Sequence, residues 1–339
     1  MMNQLIALRE FATDHFNLDP DRITALAGAG SNRQYFRILI VGRPVIGTWS
    51  EDIAENETFF YLSRILSELG VPVPRVIAVD DSRTLYLQED CGSYDALSLL
   101  ADLPFEAQRP LLEKIIESLA HLHIEASHKV DYLRCYPSPV FGYSNILADL
   151  HYFENYFVKP TSLQYDAHGL RLNFERIALD VLRCGFNGLM YRDFQTRNIM
   201  VNEGKISFID FQGARRGPCV YDMVSLLFQA KLRLGDDDRD LLFRYYGELI
   251  TGQMGYSLQR LEQERDIIMP VRLLQVLGAY GRRGLVERKA HFVESISPAI
   301  DNLQILLNVP GFAERYVELS HVLNQIIHQK SKLLCRIEH

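Results

Sequence analysis

Residues 191–218 read YRDFQTRNIMVNEGKISFIDFQGARRGP. Asp193 and Asn198 stand five residues apart in what reads as a single loop. Asn202-Glu203-Gly204-Lys205 is a hairpin turn between two short strands, with glycine where the backbone needs a positive φ. Asp210 closes the second strand. Asp-x4-Asn alone says little, because both residue types are common in turns. The same pair followed by strand, hairpin, strand and Asp-Phe is a far rarer arrangement.

Working outward, the two sides of this stretch differ in character. The first ninety residues are strand-rich. RITALAG from Arg22, QYFRILIV from Gln34, PVIGTW ending at Trp49, PRVIAVD and RTLYLQED read as strands. Between the third and fourth, ENETFFYLSRILSELG carries Phe59, Leu62, Ile65, Leu66 and Leu69 at helical spacing, closed by Gly70 and then Pro72. After Cys91-Gly92, helical patterns such as RPLLEKIIESLAHLHIEA and the run 142–158 dominate, and they resume beyond Phe211. The division falls near residues 90–95. The expected organisation is an N-lobe over 1–92, a nucleotide-binding sheet with one main helix. A helical C-lobe over 93–339 follows, with the catalytic loop and substrate site. The fold class is α+β, with a small antiparallel-sheet lobe and a larger, mainly helical one.

Composition sets bounds. The 339 residues are 47% hydrophobic and 23% charged, ordinary values for a folded chain, so neither disorder nor a collagen-like fibre fits. A net charge of −7 argues against bulk phosphate-backbone binding, so a nucleic-acid partner is not expected. No window approaches the roughly 18 apolar residues of a membrane span. The start, MMNQLIALREFATDHF, lacks a basic leader and reads as an amphipathic helix. Five scattered cysteines without CxxC spacing fit a reducing cytoplasm better than disulfides or zinc.

The chemistry follows from the residue types. Phosphoryl transfer needs a carboxylate to take the acceptor hydroxyl's proton and aim its oxygen, and oxygen ligands to hold Mg²⁺ against a polyphosphate. Asp193, Asn198 and Asp210 have the spacing of a kinase catalytic loop and its metal-binding aspartate.

On these residues the chain resembles the aminoglycoside phosphotransferase and choline kinase superfamily, which has the protein-kinase-like bilobal fold. It is most similar to the bacterial anomeric sugar kinases of cell-wall recycling, which act on N-acetylmuramate and N-acetylglucosamine. SNRQYFRI from Ser31, RDFQTRNIM with IDFQGARRGPCVYDMVSLL, and LLQVLGAYGRRGLVERKAHFVESI from Leu273 carry the likeness, from about residue 25 to 305. The resemblance implies ATP and Mg²⁺ as cofactors. It implies Asp193 as catalytic base and Asn198 and Asp210 as metal ligands; Arg197, beside Asn198, would neutralise phosphate charge or stand as a surface salt bridge. Asp222 would buttress the catalytic loop, or stand as a helix first-turn carboxylate favoured by the dipole. Gln212 would touch substrate or brace the loop.

Two departures from the pattern matter. The glycine loop has Arg33 where a third glycine is expected, leaving amides around Gly30, Ser31 and Asn32 to cradle phosphates. No lysine precedes Lys114, so the phosphate-pairing lysine of kinases is absent and Thr48 sits near its place. Arg37 is the first candidate replacement and Arg33 the second. Glu57 either orients that cation or is an exposed helix carboxylate. Gln88, Glu89 and Asp90 form the linker expected to hold the nucleotide base through backbone groups.

Other features have two readings. Arg282, Arg283, Arg288 and Lys289 form a basic cluster; Arg282 and Lys289 would meet a sugar acid's carboxylate, or the cluster is a solvated face. Tyr143, Tyr152 and Tyr156 stack on a sugar or pack in the core. His121, His123 and His128 read as ordinary helix histidines, and 235–238 as an acidic helix start. The expectation is γ-phosphoryl transfer from ATP to a sugar hydroxyl, a small-molecule substrate, without nucleic acid or membrane. The alternatives are an aminoglycoside, choline or other alcohol as acceptor, or a pseudokinase binding module.

Overall fold

The computed structural model describes residues 2–26 and 33–337. In chain order the elements begin with α1 (Met2–Phe16), β1 (Arg22–Ala25), β2 (Gln34–Ile40), β3 (Arg43–Trp49), α2 (Ile53–Glu68), β4 (Val76–Val79), β5 (Leu85–Glu89) and β6 (Tyr94–Asp95). Next come α3 (Ala96–Leu100), α4 (Phe105–Ala126), α5 (Tyr143–Phe153), α6 (Ala167–Val181), β7 (Asn187–Met190), β8 (Ile199–Asn202), β9 (Lys205–Phe208) and β10 (Arg215–Pro218). The chain continues through α7 (Val220–Leu227), α8 (Asp236–Met254), α9 (Leu258–Tyr280), α10 (Ala290–Asn308), α11 (Phe312–Arg315), α12 (Val317–His328) and α13 (Lys330–Ile337).

These elements form two compact units. The first comprises Met1–Leu99, His121–Pro139 and Tyr191–Arg215, and the second Leu100–Ala120, Val140–Met190 and Arg216–His339. A division at residue 92 cuts the chain once. The units instead draw the 191–215 segment in with the N-terminal sheet.

In the first unit, β1–β5 make one antiparallel sheet in the order β1-β2-β3-β5-β4. Alternation sorts its two faces. Phe36 and Ile38 of β2, with Leu85 and Leu87 of β5, join Leu8 and Ala12 of α1 in two small apolar clusters. Burying each large side chain there stabilises the unit by about 1.5–3 kcal/mol. Gly47 makes this fit possible: a Cβ there would stand 2.7 Å from Ile38 Cδ1 and 3.0 Å from Leu8 Cδ2. Tyr35 and Arg37 of β2, Ile46 of β3, and Tyr86 and Gln88 of β5 line a cavity instead.

α2 starts where Asp52 caps it, accepting from the Glu55 N–H at 3.0 Å. β6, β8 and β9 form a second small sheet. Its hairpin turns at Glu203 (φ 49°) and Gly204 (φ 74°), the two positive values a type I′ turn needs.

In the second unit, α9 is the central helix. Leu261, Ile268, Met269, Val271, Leu274 and Leu277 are all buried, on more than one face, because α5, α6, α7 and α10 pack around it. The helices expected over 142–158 and after Leu273 both widen into π-helical segments, Glu154–Val158 and Gly281–Val286. These two segments pack closely, with Gly281 against the Tyr156 carbonyl. Among the described residues, no helix is long and apolar enough to cross a membrane.

Candidate active site

The 191–215 segment belongs to the first unit, and its local chemistry sets the site. Arg192 (φ 84°) and Asp210 (φ 67°) both adopt left-handed backbone, a conformation that costs side-chain-bearing residues about 1–3 kcal/mol and collects at functional sites. Between them, Thr196–Asn198 is a single 3₁₀ turn. The Asn198 N–H donates to Gln195 O at 2.8 Å, and the Ile209 N–H donates to Asn198 O at 2.9 Å. The turn is thereby tied to the residue preceding Asp210.

The side chains then converge. Asn198 Nδ2 donates to Asp193 Oδ2 at 3.3 Å, to Asp193 O at 2.9 Å and to Asp210 Oδ2 at 3.4 Å. Arg197 Nη2 donates to Asp193 Oδ2 at 3.2 Å, and the Gln195 amide donates to Asp193 Oδ1. Gln212 Nε2 donates to Asp210 Oδ1 at 2.6 Å, so Gln212 braces the aspartate. The expected trio of Asp193, Asn198 and Asp210 shares one place.

An aromatic column holds this segment to the sheet and helix. Phe211 stacks on Phe59 of α2 with centroids 4.9 Å apart, and Phe59 meets Tyr86 of β5 at 5.3 Å. On the other side Tyr191 packs edge-on to Phe194, Phe208 and Phe211. The Tyr191 hydroxyl donates to Ile209 O. The residue after Asp210 is therefore a packing anchor, and the aspartate's direction follows from it.

A cavity of about 380 Å³ includes Asn198, Asp210, Arg197 and Gln212 in its wall, with Arg33, Tyr35, Arg37, Tyr86, Gln88, Glu89 and Asp90. Every lining residue belongs to the first unit. Asp210 turns its surface to this cavity while protein crowds the rest of it. Burial pushes its carboxyl pKa upward, and the neighbouring Asp193 charge adds to the rise against the opposing help of Gln212, Arg197 and Arg33. Two neighbouring carboxylates bridged by the Asn198 amide supply hard oxygen atoms of the kind that suits Mg²⁺.

The cavity also holds polar atoms that lack partners. Arg33 Nε, Arg197 Nε and Gln88 Oε1 are buried without a hydrogen bond. Orphaned polar atoms of this kind are costly unless a ligand satisfies them. The set fits a polar, anionic ligand such as a nucleotide.

The structure reorders several expectations. Arg37 lines the cavity, but its guanidinium is spoken for: Nε donates to Asp90 Oδ2 at 2.5 Å, Nη1 to Ser93 Oγ at 2.8 Å and Nη2 to Gly92 O at 2.7 Å. It fastens β2 to the linker. Glu57 pairs with Arg83 and orients no cavity cation; Glu55, two residues earlier, lies 3.2 Å from Arg33 Nη2. The sequence did hold a signal for Glu55, since Asp52-x-x-Glu55 has the spacing of a helix-capping pair.

Glu89 binds Arg75 through its side chain, and its N–H donates to Arg75 O at 3.0 Å. That amide is part of the sheet, and it is not one of the linker groups left for a base. Thr48, near the missing lysine's place, is fully buried and accepts from Gln88 Nε2 at 3.4 Å.

Gly30, Ser31 and Asn32 lie outside the described residues. Arg282 and Lys289, in the second unit, both pair with Glu287, at 3.2 and 2.8 Å. One carboxylate thus meets two of the four cations of this cluster. Asp222, also in the second unit, is completely buried in the first turn of α7. The His121 ring engages Leu69 O, and no metal-holding group of His, Cys, Asp and Glu occurs among the described residues.

This site on this fold is that of a phosphotransferase. The family model of the phosphotransferase enzyme family matches residues 22–256, and the chain belongs to that family. A kinase for N-acetylmuramate and N-acetylglucosamine from Neisseria meningitidis is 27% identical over 181 residues, 52% of this chain; the match spans about half (52%) of that relative's length. A kinase of the same name from Pseudomonas aeruginosa is 26% identical over 275 residues, 78% of this chain and 77% of the relative. Among solved structures, the GDP complex of an aminoglycoside 2′-phosphotransferase superposes with a TM-score of 0.60 at 16% identity, covering 92% of this chain and 99% of that one. The fold is the protein-kinase-like one of these enzymes.

Proposed function

We propose that this chain is an ATP- and magnesium-dependent kinase that transfers the γ-phosphoryl group to a sugar hydroxyl, the anomeric hydroxyl of N-acetylmuramate or N-acetylglucosamine. The observation that carries the chemistry is the Asn198 amide, which reaches the carboxylates of Asp193 and Asp210 together. The naming of the two curated relatives supports the acceptor class.

In this reading Asp193 takes the proton from the acceptor hydroxyl as that oxygen bonds to phosphorus, the bond to the bridging oxygen breaks and ADP leaves. Arg197 pairs with Asp193 and adds positive charge near the phosphates. Asn198 and Asp210 hold magnesium, which when bound neutralises the charge of the polyphosphate. Gln212 fixes the direction of Asp210. The linker after Glu89, through Asp90, faces the base. Amides around Gly30, Ser31 and Asn32 meet the phosphates, Asp222 supports the loop, and the compartment is the cytoplasm. Arg282 and Lys289, which share Glu287, would meet the carboxylate of a sugar acid.

The test is ADP release with ATP and magnesium against a panel of N-acetylmuramate, N-acetylglucosamine, an aminoglycoside and choline. Turnover confined to the amino sugars is expected. Turnover confined to the aminoglycoside or choline would move the acceptor class, and binding of nucleotide with no turnover on any of them would make the chain a pseudokinase.

A further inference from the structure

The chain has no lysine before Lys114, so the N-lobe lysine that kinases place on the nucleotide phosphates is missing, and the cavity wall carries arginines instead. Three arginines reach its wall: Arg33, Arg37 and Arg197. Arg37 is saturated by Asp90, Ser93 and Gly92. Arg197 is aimed at Asp193. Arg197 too has a buried Nε without a hydrogen bond, but its side chain is 39% exposed; Arg33 is the buried one. Its side chain is only 3% exposed, and its Nε is buried without a hydrogen bond. Its charge is met by Glu55 Oε2, 3.2 Å from Nη2, and it is near enough to Asp210 for the two charges to act on each other.

A buried guanidinium with an unused donor is expensive to keep. Its planar fork is suited to phosphate oxygens. Glu55 is itself fixed, because Asp52 caps its N–H at the start of α2. The arrangement is a cation held by Glu55 of α2 and by the Tyr35 hydroxyl of β2, with Nε left for an anion in the cavity.

We propose that Arg33 is the phosphate-binding cation of this chain and that Glu55 is its positioning residue, the pair doing together what a strand lysine and a helix glutamate do elsewhere. The inference rests on the nucleotide-binding part of the proposed function and is independent of the acceptor. It assigns the role to Arg33 ahead of Arg37, whose guanidinium instead locks β2 to the linker.

The experiment is calorimetric titration of the full chain with ADP and magnesium, and separately with adenosine, which carries the base and ribose but no phosphate. Arg33→Met is expected to weaken ADP roughly ten- to hundred-fold, the loss of a charge-assisted hydrogen bond, and to leave adenosine within about twofold of native. Arg33→Lys restores most of the ADP affinity. Glu55→Gln weakens ADP by roughly three- to tenfold, again sparing adenosine, which a merely structural pair would not do. If the methionine variant does not fold, Arg33→Gln takes its place beside Arg33→Lys, with the same separation expected.

Native ADP affinity in the Met or Gln variant overturns the proposal. So does an equal loss of adenosine and ADP, or a phosphate-selective loss in Arg37→Met that Arg33 variants do not show. No acceptor is present, so a wrong acceptor class leaves this outcome untouched, and failure here leaves the ADP-release panel untouched.

Discussion

Asp193 and Asp210 share one hydrogen-bond donor: Asn198 Nδ2 lies 3.3 Å from the first carboxylate and 3.4 Å from the second. They are 17 residues apart in sequence, yet the 3₁₀ turn at Thr196–Asn198 and the Ile209–Asn198 backbone bond bring them to a single amide. The two acids are held close enough that Asp193 raises the pKa of Asp210, and Arg197 attends only the first of them directly. Their environments therefore differ, as two roles require.

Asp193→Asn removes the proton acceptor and keeps the shape. Turnover should fall roughly 10²–10⁴-fold, the usual worth of general-base catalysis. ADP affinity should stay near native, because the metal-side groups are intact. Steady-state kinetics with a parallel ADP titration checks both halves.

Asp210 has a pKa raised by burial first and Asp193 second. The folded state thus holds the proton more tightly than the unfolded chain. That contribution to stability is fully present below the unfolded value of about 3.9 and is lost as pH rises through the folded value. Asp210→Asn, which mimics the protonated form and tolerates the left-handed backbone, should melt above the native chain at neutral pH without ligand. The gap should close as pH falls into the ordinary carboxylate range. Magnesium-dependent nucleotide binding should be lost in the same variant. A neutral-pH melting point below native would contradict the account of this carboxylate.

Phe59 is 4% exposed and stacks on Phe211. Phe59→Ala leaves a cavity beneath the residue that follows Asp210. A destabilisation of about 3–5 kcal/mol is expected, with a loss of magnesium-nucleotide affinity larger than Ile or Leu truncations on the α1 side of the sheet produce. Denaturant melts and nucleotide titrations read the two effects.

In the second unit, Asp180 is buried, yet hydrogen bonds from Arg315 and Tyr316 hold its pKa below the usual range against that burial. A lowered folded value means stability that is present above about pH 4 and disappears as pH falls through the folded pKa. Arg315→Ala should cost about 1.5–3 kcal/mol at neutral pH, typical of a hydrogen bond to a charged group, and much less near pH 2. Urea melts at both pH values measure it.

The sheet was legible because each strand carried its own alternation, as Phe36, Ile38 and Ile40 do, and its own turn residues, as Gly204 does. The convergence of Asp193, Asn198 and Asp210 was legible because all three fall within one local segment whose spacing fixes its geometry. The partner of Arg37 was not. Asp90 is 53 positions away, and nothing along either strand announces that a linker carboxylate will fold back onto β2. Glu57 and Glu55 look alike on a helix, yet Glu55 pairs with Arg33 and Glu57 with Arg83. The π-helical segments at Glu154–Val158 and Gly281–Val286 have the same apolar spacing as the α-helices they extend, so periodicity alone could not separate them.

The most direct measurement of the central claim is phosphorus NMR of the product formed from ATP, magnesium and N-acetylmuramate or N-acetylglucosamine. The account predicts a new monoester resonance coupled to the sugar's H1, with stoichiometric ADP, and its disappearance in Asp193→Asn. A monoester coupled to any other sugar proton, or no sugar phosphate while the same preparation phosphorylates an aminoglycoside or choline, would contradict it.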